Sequence, residues 1–167
     1  MLALAIGIPV AGVSLSHLAE GDAPTDRQRL MMRQVSQAVL PATGTPGAGD
    51  VGVGDFVILA LAHGLDGTRE PAGSSEMPWA FPEYQRHDGT LRYVDWLEHT
   101  LDRAANGDFV RRDTDEQMAL VGRLDEEAFA EGNDAHPWRK LKALILTGYY
   151  TSQVGGSEEL RFEFVID

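Results

Sequence analysis

The sequence contains no cysteine among its 167 residues. Without thiols the chain can form no disulfide, use no thiolate nucleophile, ligate no iron–sulfur cluster through cysteine and attach no haem covalently. Basic residues are also few, since 14 lysines and arginines stand against 26 aspartates and glutamates, for a formal net charge of −12. A surface this acidic repels phosphate backbones, so the composition argues against nucleic-acid binding and against a polybasic membrane patch.

Catalytic and cofactor-binding motifs are missing as well. The five histidines are scattered, and no two have the His-x-x-x-His or Glu-x-x-His spacing that places metal ligands on one helix face. Gly47 and Gly49 lack the third glycine of a dinucleotide-binding loop. We therefore predict no catalytic, cofactor-binding or metal-binding residue in the chain. A site assembled from distant residues stays open, because a sequence does not show which carboxylates meet.

The N-terminal segment, residues 1–20, is the first feature that is present. Its residues 2–18 are apolar and small, and this run is shorter than the roughly 20 apolar residues of a membrane span. A run of this kind at the start of a chain is typical of the hydrophobic region of an export signal. The alternatives are a segment that is retained as a structural arm and an ordinary buried helix, and Pro9 disfavours the second. We interpret residues 1–20 as a signal-like segment and residues 21–167 as one helical domain.

The domain is predicted to be all-α, with about five helices. Thr25 and Gln28 have the spacing of a capping box, and Pro41 ends this first helix. The second helix is predicted over 55–61 with Asp55 as its cap, the third over 90–105, the fourth from a capping box at Thr114 and the fifth from Pro137. In the fourth helix the 3.6-residue period predicts a core face of four residues and a solvated acidic face over 125–127. The core face comprises Met118, Val121, Leu124 and Ala128.

A long irregular loop over 65–89 separates the second and third predicted helices. It carries four large apolar side chains, Met77, Trp79, Phe81 and Tyr84. Leaving such side chains in water forfeits about 1.5–3 kcal/mol each. We expect them to cover either the domain's own core or a partner, and both alternatives stay open.

The stretch 144–162 ends the fifth helix with Tyr149, Tyr150 and, after a short interval, a double glycine at 155–156. Adjacent helical residues face about 100° apart, so we expect one tyrosine in the core and the other toward a partner. Gly148 would allow another backbone to approach closely. Beyond the glycines, apolar residues alternate with others at period two, which predicts a short extended C-terminal tail.

Two stretches of the chain resemble the gluconate 2-dehydrogenase subunit 3 family. The first is the Leu-Pro-Ala-Thr and Thr-Pro-Gly-Ala pattern within 40–48, and the second is the stretch 144–162. The resemblance implies an accessory subunit of an FAD-dependent sugar, glycoside or sugar-acid dehydrogenase complex. In such a complex the FAD and the catalytic groups belong to a glucose-methanol-choline-type large subunit, and a cytochrome c subunit can carry the electrons onward. The resemblance also implies twin-arginine export to the periplasm, with this chain supporting the folding and stability of its partner.

Candidate interface residues come from these two stretches and from the irregular loop over 65–89, which we call the aromatic loop. They are Pro46, Gly47, Trp79, Phe81, Gly148, Tyr149, Tyr150, Gly155, Glu159, Arg161 and Phe162. The alternative function is a stand-alone helical binding or adaptor domain, tethered by its apolar N-terminus. A small metal-independent enzyme is a third reading, and it predicts turnover by the isolated chain.

Overall fold

The computed structural model describes residues 15, 18–19, 21–70 and 82–156. Within these ranges the chain forms five α-helices and no strand, which confirms the predicted all-α class. The helices are α1 (Asp26–Val39), α2 (Val53–Ala62), α3 (Tyr93–Ala104), α4 (Thr114–Ala128) and α5 (Pro137–Tyr150). Short 3₁₀ turns lie at Leu65–Gly67, Pro82–Tyr84 and Phe109–Arg111. The predicted extended tail beyond residue 156 and most of the signal-like segment lie outside the described residues.

Helix α1 begins and ends where the sequence predicts. The side chain of Thr25 accepts from the backbone N–H of Gln28, and the Gln28 side chain accepts in turn from the backbone N–H of Thr25, which confirms the capping box. The helix ends at Val39, two residues before Pro41. Its inward face, which includes Met31 and Val35, is fully buried.

Helix α2 begins earlier than predicted, and Asp55 is not its cap. The cap position belongs to Gly52, whose positive φ of 83° suits a residue without a side chain. Asp55 lies in the first turn, where it accepts from Arg29 of α1 at Nε and Nη2 over 3.0 and 2.7 Å. The prediction was wrong because a long-range ion pair and a glycine perform the roles assigned to one local cap.

Helix α3 begins at Tyr93 instead of residue 90. Asp88 accepts hydrogen bonds from the backbone and the hydroxyl group of Thr90, so this residue belongs to a turn. An isolated antiparallel bridge then joins Gln85 to Leu91. The C-terminal end of α3 lies close to the predicted end, because Asn106 and Gly107 both take positive φ values just beyond the helix.

Helix α4 differs from the prediction in its cap and in one core residue. Its cap is Asp113, which accepts from the backbone N–H of Glu116, and Thr114 is the first helical residue. Met118 is 41% exposed instead of belonging to the core. Gln117 takes the inward position, because its amide donates to the carbonyl of Phe109 at 3.1 Å.

Helix α5 contributes the largest share of the predicted core that the structure confirms. Pro137 lies in its first turn, and its inward side chains are all buried: Trp138, Leu141, Leu144, Ile145 and Tyr149. Asp125 of α4, predicted to be solvated, is half-buried against this helix. It accepts from Trp138 Nε1 at 2.7 Å and from Lys142 Nζ at 2.8 Å. Burial alone would raise the pKa of Asp125, but these bonds outweigh it and lower that pKa.

A charge network joins α1 to α3 and to the turn that follows it. The Arg27 guanidinium pairs with Glu98, Asp102 and Asp108, the last two at 2.8 and 2.7 Å. Partial burial opposes its charge, but hydrogen bonds with all three acids outweigh this and raise the pKa of Arg27. The bond from Arg27 in turn lowers the pKa of Asp108. Residues more than 70 positions apart are thus joined by one side chain.

The N-cap of α5 depends on a neutral histidine. His136 Nδ1 accepts from the backbone N–H of Trp138 at 3.2 Å, and its ring packs edge-on against Trp96. Burial lowers the pKa of His136 below its ordinary value of 6.5; Arg139 also lowers it, and Glu127 opposes this. The unfolded chain therefore binds this proton more readily than the folded chain does.

From this we predict an acid-dependent loss of stability that His136→Asn makes smaller. As the pH falls below about 6.5 the unfolded state gains protons first, so the free energy of unfolding of the native chain should fall. Asparagine keeps a cap acceptor without a titrating ring. Urea denaturation across this pH range should show a smaller acid loss in the variant, whereas parallel pH curves would contradict the assignment.

Candidate partner interface

The loop between α1 and α2 is held in one shape by Gln37 of α1. The Gln37 side chain accepts from the Gly49 backbone N–H at 2.9 Å and donates to Asp50 Oδ2 at 3.1 Å. Asp50 Oδ2 also accepts from the Gly47 N–H at 3.2 Å. The Ala48 side chain is fully buried beneath the loop. These bonds and the buried Ala48 attach the loop between α1 and α2 to the core.

Two glycines let the loop lie directly on α1. A Cβ atom added at Gly47 would lie 2.5 Å from the Gln37 Nε2 atom and 2.7 Å from the backbone nitrogen of Ala42. A Cβ atom added at Gly49 would lie 2.5 Å from the carbonyl oxygen of Arg33. Gly47 thus serves the internal packing of the loop. This packing accounts for the glycine at position 47, and contact with another subunit is not needed to explain it.

The end of α5 is closed by the two hydroxyl residues that follow the tyrosines. Thr151 Oγ1 donates to the Thr147 carbonyl at 2.7 Å, and Ser152 Oγ donates to the Tyr149 carbonyl at 2.6 Å. Ser152 Oγ then accepts from the Gly155 N–H at 3.1 Å. A Cβ atom at Gly155 would lie 2.2 Å from the Tyr149 oxygen, so the chain can turn back this closely only at a glycine.

Gly148 makes its close approach within the chain. A Cβ atom there would lie 2.5 Å from Cδ1 of Phe56, the aromatic residue in the first half of α2. The residue is buried between α5 and α2. The close approach is therefore made by a side chain of α2 in the same domain, instead of by the backbone that the sequence suggested.

We predict that Gly148→Ala lowers the free energy of unfolding by about 1–3 kcal/mol, because its methyl group overlaps the Phe56 ring. Gly122→Ala in α4 is the matched control. Gly122 is helical and exposed, with nothing within 4 Å of an added Cβ, so alanine there should stabilise by about 0.5–1 kcal/mol. Chemical denaturation measures both, and equal effects would contradict the packing argument.

The two tyrosines divide as predicted, one inward and one outward. Tyr149 is 4% exposed and Tyr150 is 39% exposed, with their rings 5.4 Å apart in an edge-to-face pair. The Tyr149 hydroxyl donates to the Pro46 carbonyl at 3.0 Å. Pro46 itself is exposed. The two sequence stretches, 103 positions apart at this bond, therefore meet in space.

We call this region the loop–helix junction and define it by Pro46, Gly47, Gly148, Tyr149, Tyr150 and Gly155. Four of these predicted interface candidates are buried within the chain, and two of them, Pro46 and Tyr150, are exposed. The other candidates lie outside the described residues: Trp79, Phe81, Glu159, Arg161 and Phe162. Of the four aromatic-loop side chains only Tyr84 is described, and it packs partly buried against the domain's own core.

The Tyr149 hydrogen bond should contribute measurably to stability. Tyr149→Phe keeps the ring but removes the donor to Pro46, so we expect a loss of about 0.5–1.5 kcal/mol in the free energy of unfolding. Tyr150→Phe removes an exposed hydroxyl and should change stability by less than about 0.5 kcal/mol. Backbone amide exchange near Pro46 should quicken in the first variant alone. Identical exchange in the two variants would show that the bond does not hold the loop.

The part of the chain that the structure describes contains neither a metal-binding cluster nor a membrane-spanning helix. No cluster of three or more histidine or acidic side chains there is arranged to hold a metal ion. Among the described helices, none combines the length and apolar character needed to cross a membrane.

Comparison with known families identifies the chain more closely. The family model described as gluconate 2-dehydrogenase subunit 3 matches residues 26–166. The chain belongs to this family of accessory subunits of dehydrogenase complexes. No curated protein and no solved structure matches the chain. The resemblance seen in the two sequence stretches is thus confirmed over most of the length.

Proposed function

We propose that this chain is the non-catalytic small subunit of a periplasmic, FAD-dependent dehydrogenase complex that oxidises a sugar, a glycoside or a sugar acid. Its large subunit would be a glucose-methanol-choline-type flavoprotein that carries both the FAD and the catalytic groups. A cytochrome c subunit is an optional third member. Membership of the accessory-subunit family supports this proposal. The absence of a recognisable catalytic motif from the sequence agrees with it.

The proposed role is to support the folding, stability and twin-arginine export of the catalytic subunit. A chain that binds a folded partner can stabilise it through mass action, because it removes the folded form from the unfolding equilibrium. The apolar run over 2–18 resembles the hydrophobic region of an export signal, which supports the export part of the role.

The observation that carries the proposal is the bond between Tyr149 and Pro46. It joins the two family-like stretches, in which Pro46 and Tyr150 are exposed and the Tyr150 ring lies 5.4 Å from the ring of Tyr149. The exposed Tyr150 offers an apolar ring with a polar tip, and its packing against the anchored Tyr149 keeps the cost in conformational entropy on binding small. We assign contact with the flavoprotein to the loop–helix junction.

Co-expression tests the role. The catalytic subunit produced with this chain should give a higher yield of exported, flavin-loaded and active protein than the catalytic subunit produced alone. Purified without its partner, this chain should lack the visible absorbance of a flavin. Equal yield, flavin content and activity with and without the chain would overturn the proposal, and a monomeric, partner-free chain anchored by its N-terminus would favour the adaptor alternative.

An interface variant tests the surface separately. Tyr150→Ala should weaken binding to the large subunit by about tenfold or more, because truncating an aromatic anchor at an interface costs on the order of 2 kcal/mol. Phe129→Ala is the matched control, since Phe129 is 50% exposed and lies beside Arg139 and Lys142, nearer the other end of α5. If both variants bind like the native chain, the loop–helix junction is not the contact surface.

A further inference from the structure

The carboxylate of Asp22 connects the segment before α1 to both ends of the 65–89 loop. Asp22 Oδ1 pairs with Arg86 Nη2 at 2.7 Å, and Asp22 Oδ2 pairs with Arg69 Nη2. The Asp22 side chain is only 15% exposed, and the two arginines are 25–28% exposed. Arg69 follows α2 and Arg86 precedes α3. The two ion pairs of Asp22 therefore join three separate parts of the chain.

The residues before Asp22 also take part in the folded structure. The backbone N–H groups of Asp22 and Ala23 both donate to the Ala19 carbonyl, at 2.8 and 3.0 Å. Leu15 and Leu18 are partly buried and pack against the hydrophobic core. A removable leader has no reason to contribute core side chains, since its loss would return their contacts to water.

Removal of Asp22 would leave a specific defect. Its two arginines bind one carboxylate and therefore lie close together, and each is mostly shielded from solvent. Breaking a shielded ion pair by removing one partner is costly, because the remaining charge is left uncompensated. Arg86 Nη1 also donates to the Leu91 carbonyl at 2.9 Å, so a displaced Arg86 would disturb the chain that leads into α3.

We infer that Leu15, Leu18, Ala19 and Asp22 belong to an arm that is integral to the folded domain, and that any N-terminal processing of the chain falls on the N-terminal side of Leu15. The domain then includes Leu15, six residues before the boundary at residue 21 that the sequence suggested. The statement about processing rests on the proposed export, whereas the statement about folding stands without it.

The folding part is tested in the full-length chain with Asp22→Asn. The variant keeps the size of the side chain but removes its charge, so the thermal midpoint should fall by roughly 3–8 °C. Trypsin should cleave after Arg69 and Arg86 several-fold faster, while cleavage after Arg111, whose side chain is 86% exposed, should stay unchanged. This local readout separates loss of the arm from general destabilisation.

Glu126→Gln is the control, because it removes one exposed negative charge that takes part in no described ion pair. It should match the native chain in both assays. If Asp22→Asn behaves like this control, the arm is not part of the domain and the inference fails.

The processing part is tested by the intact mass of the chain isolated with its large subunit. A chain that begins at or before Leu15 supports the inference, and one that begins after Leu15 overturns it. A chain found only inside the cytoplasm would instead contradict the proposed export, and the Asp22→Asn comparison would then decide the inference by itself. Failure of the proposed function and failure of this inference are therefore distinguishable.

Discussion

Helix α5 can pack against α2 at this distance only because Gly148 has no side chain where the Phe56 ring lies. This contact places Tyr149 inward, and its hydroxyl then reaches the Pro46 carbonyl of the loop between α1 and α2. The loop in turn lies on α1 through two further glycines and Gln37. One close helix contact therefore sets the position of the surface that we assign to a partner.

Charge pairing organises other parts of the molecule. The chain has an excess of 12 acidic groups, and several of its arginines pair with acids from distant parts of the chain. Arg27 connects α1 to α3, whereas Asp22 connects the N-terminal arm to Arg69 and Arg86. These partly buried pairs set which segments lie side by side, a role that is separate from the burial of apolar surface.

Several features could be predicted because they depend on neighbours in the sequence. The Thr25 capping box, the first-turn Pro137 and the buried face of α5 each follow from residues within one or two helical turns. The failures have the opposite character. Asp55 and Asp125 each bind a residue at least 13 positions away, and Met118 gives its inward place to Gln117, which reaches a carbonyl of the preceding turn. Periodicity carries no information about such partners.

The sequence by itself determined the all-α class, the approximate helices and the accessory-subunit family, because helix caps, apolar periodicity and short motifs are written locally. Only the tertiary structure decided which glycines serve internal packing, that the two family-like stretches meet, and that Asp22 holds two arginines. The contacts of Gly148 with Phe56, of Tyr149 with Pro46 and of Asp22 with its two arginines all join residues more than 40 positions apart. Their distances are set by the packing of whole helices, which no local pattern specifies.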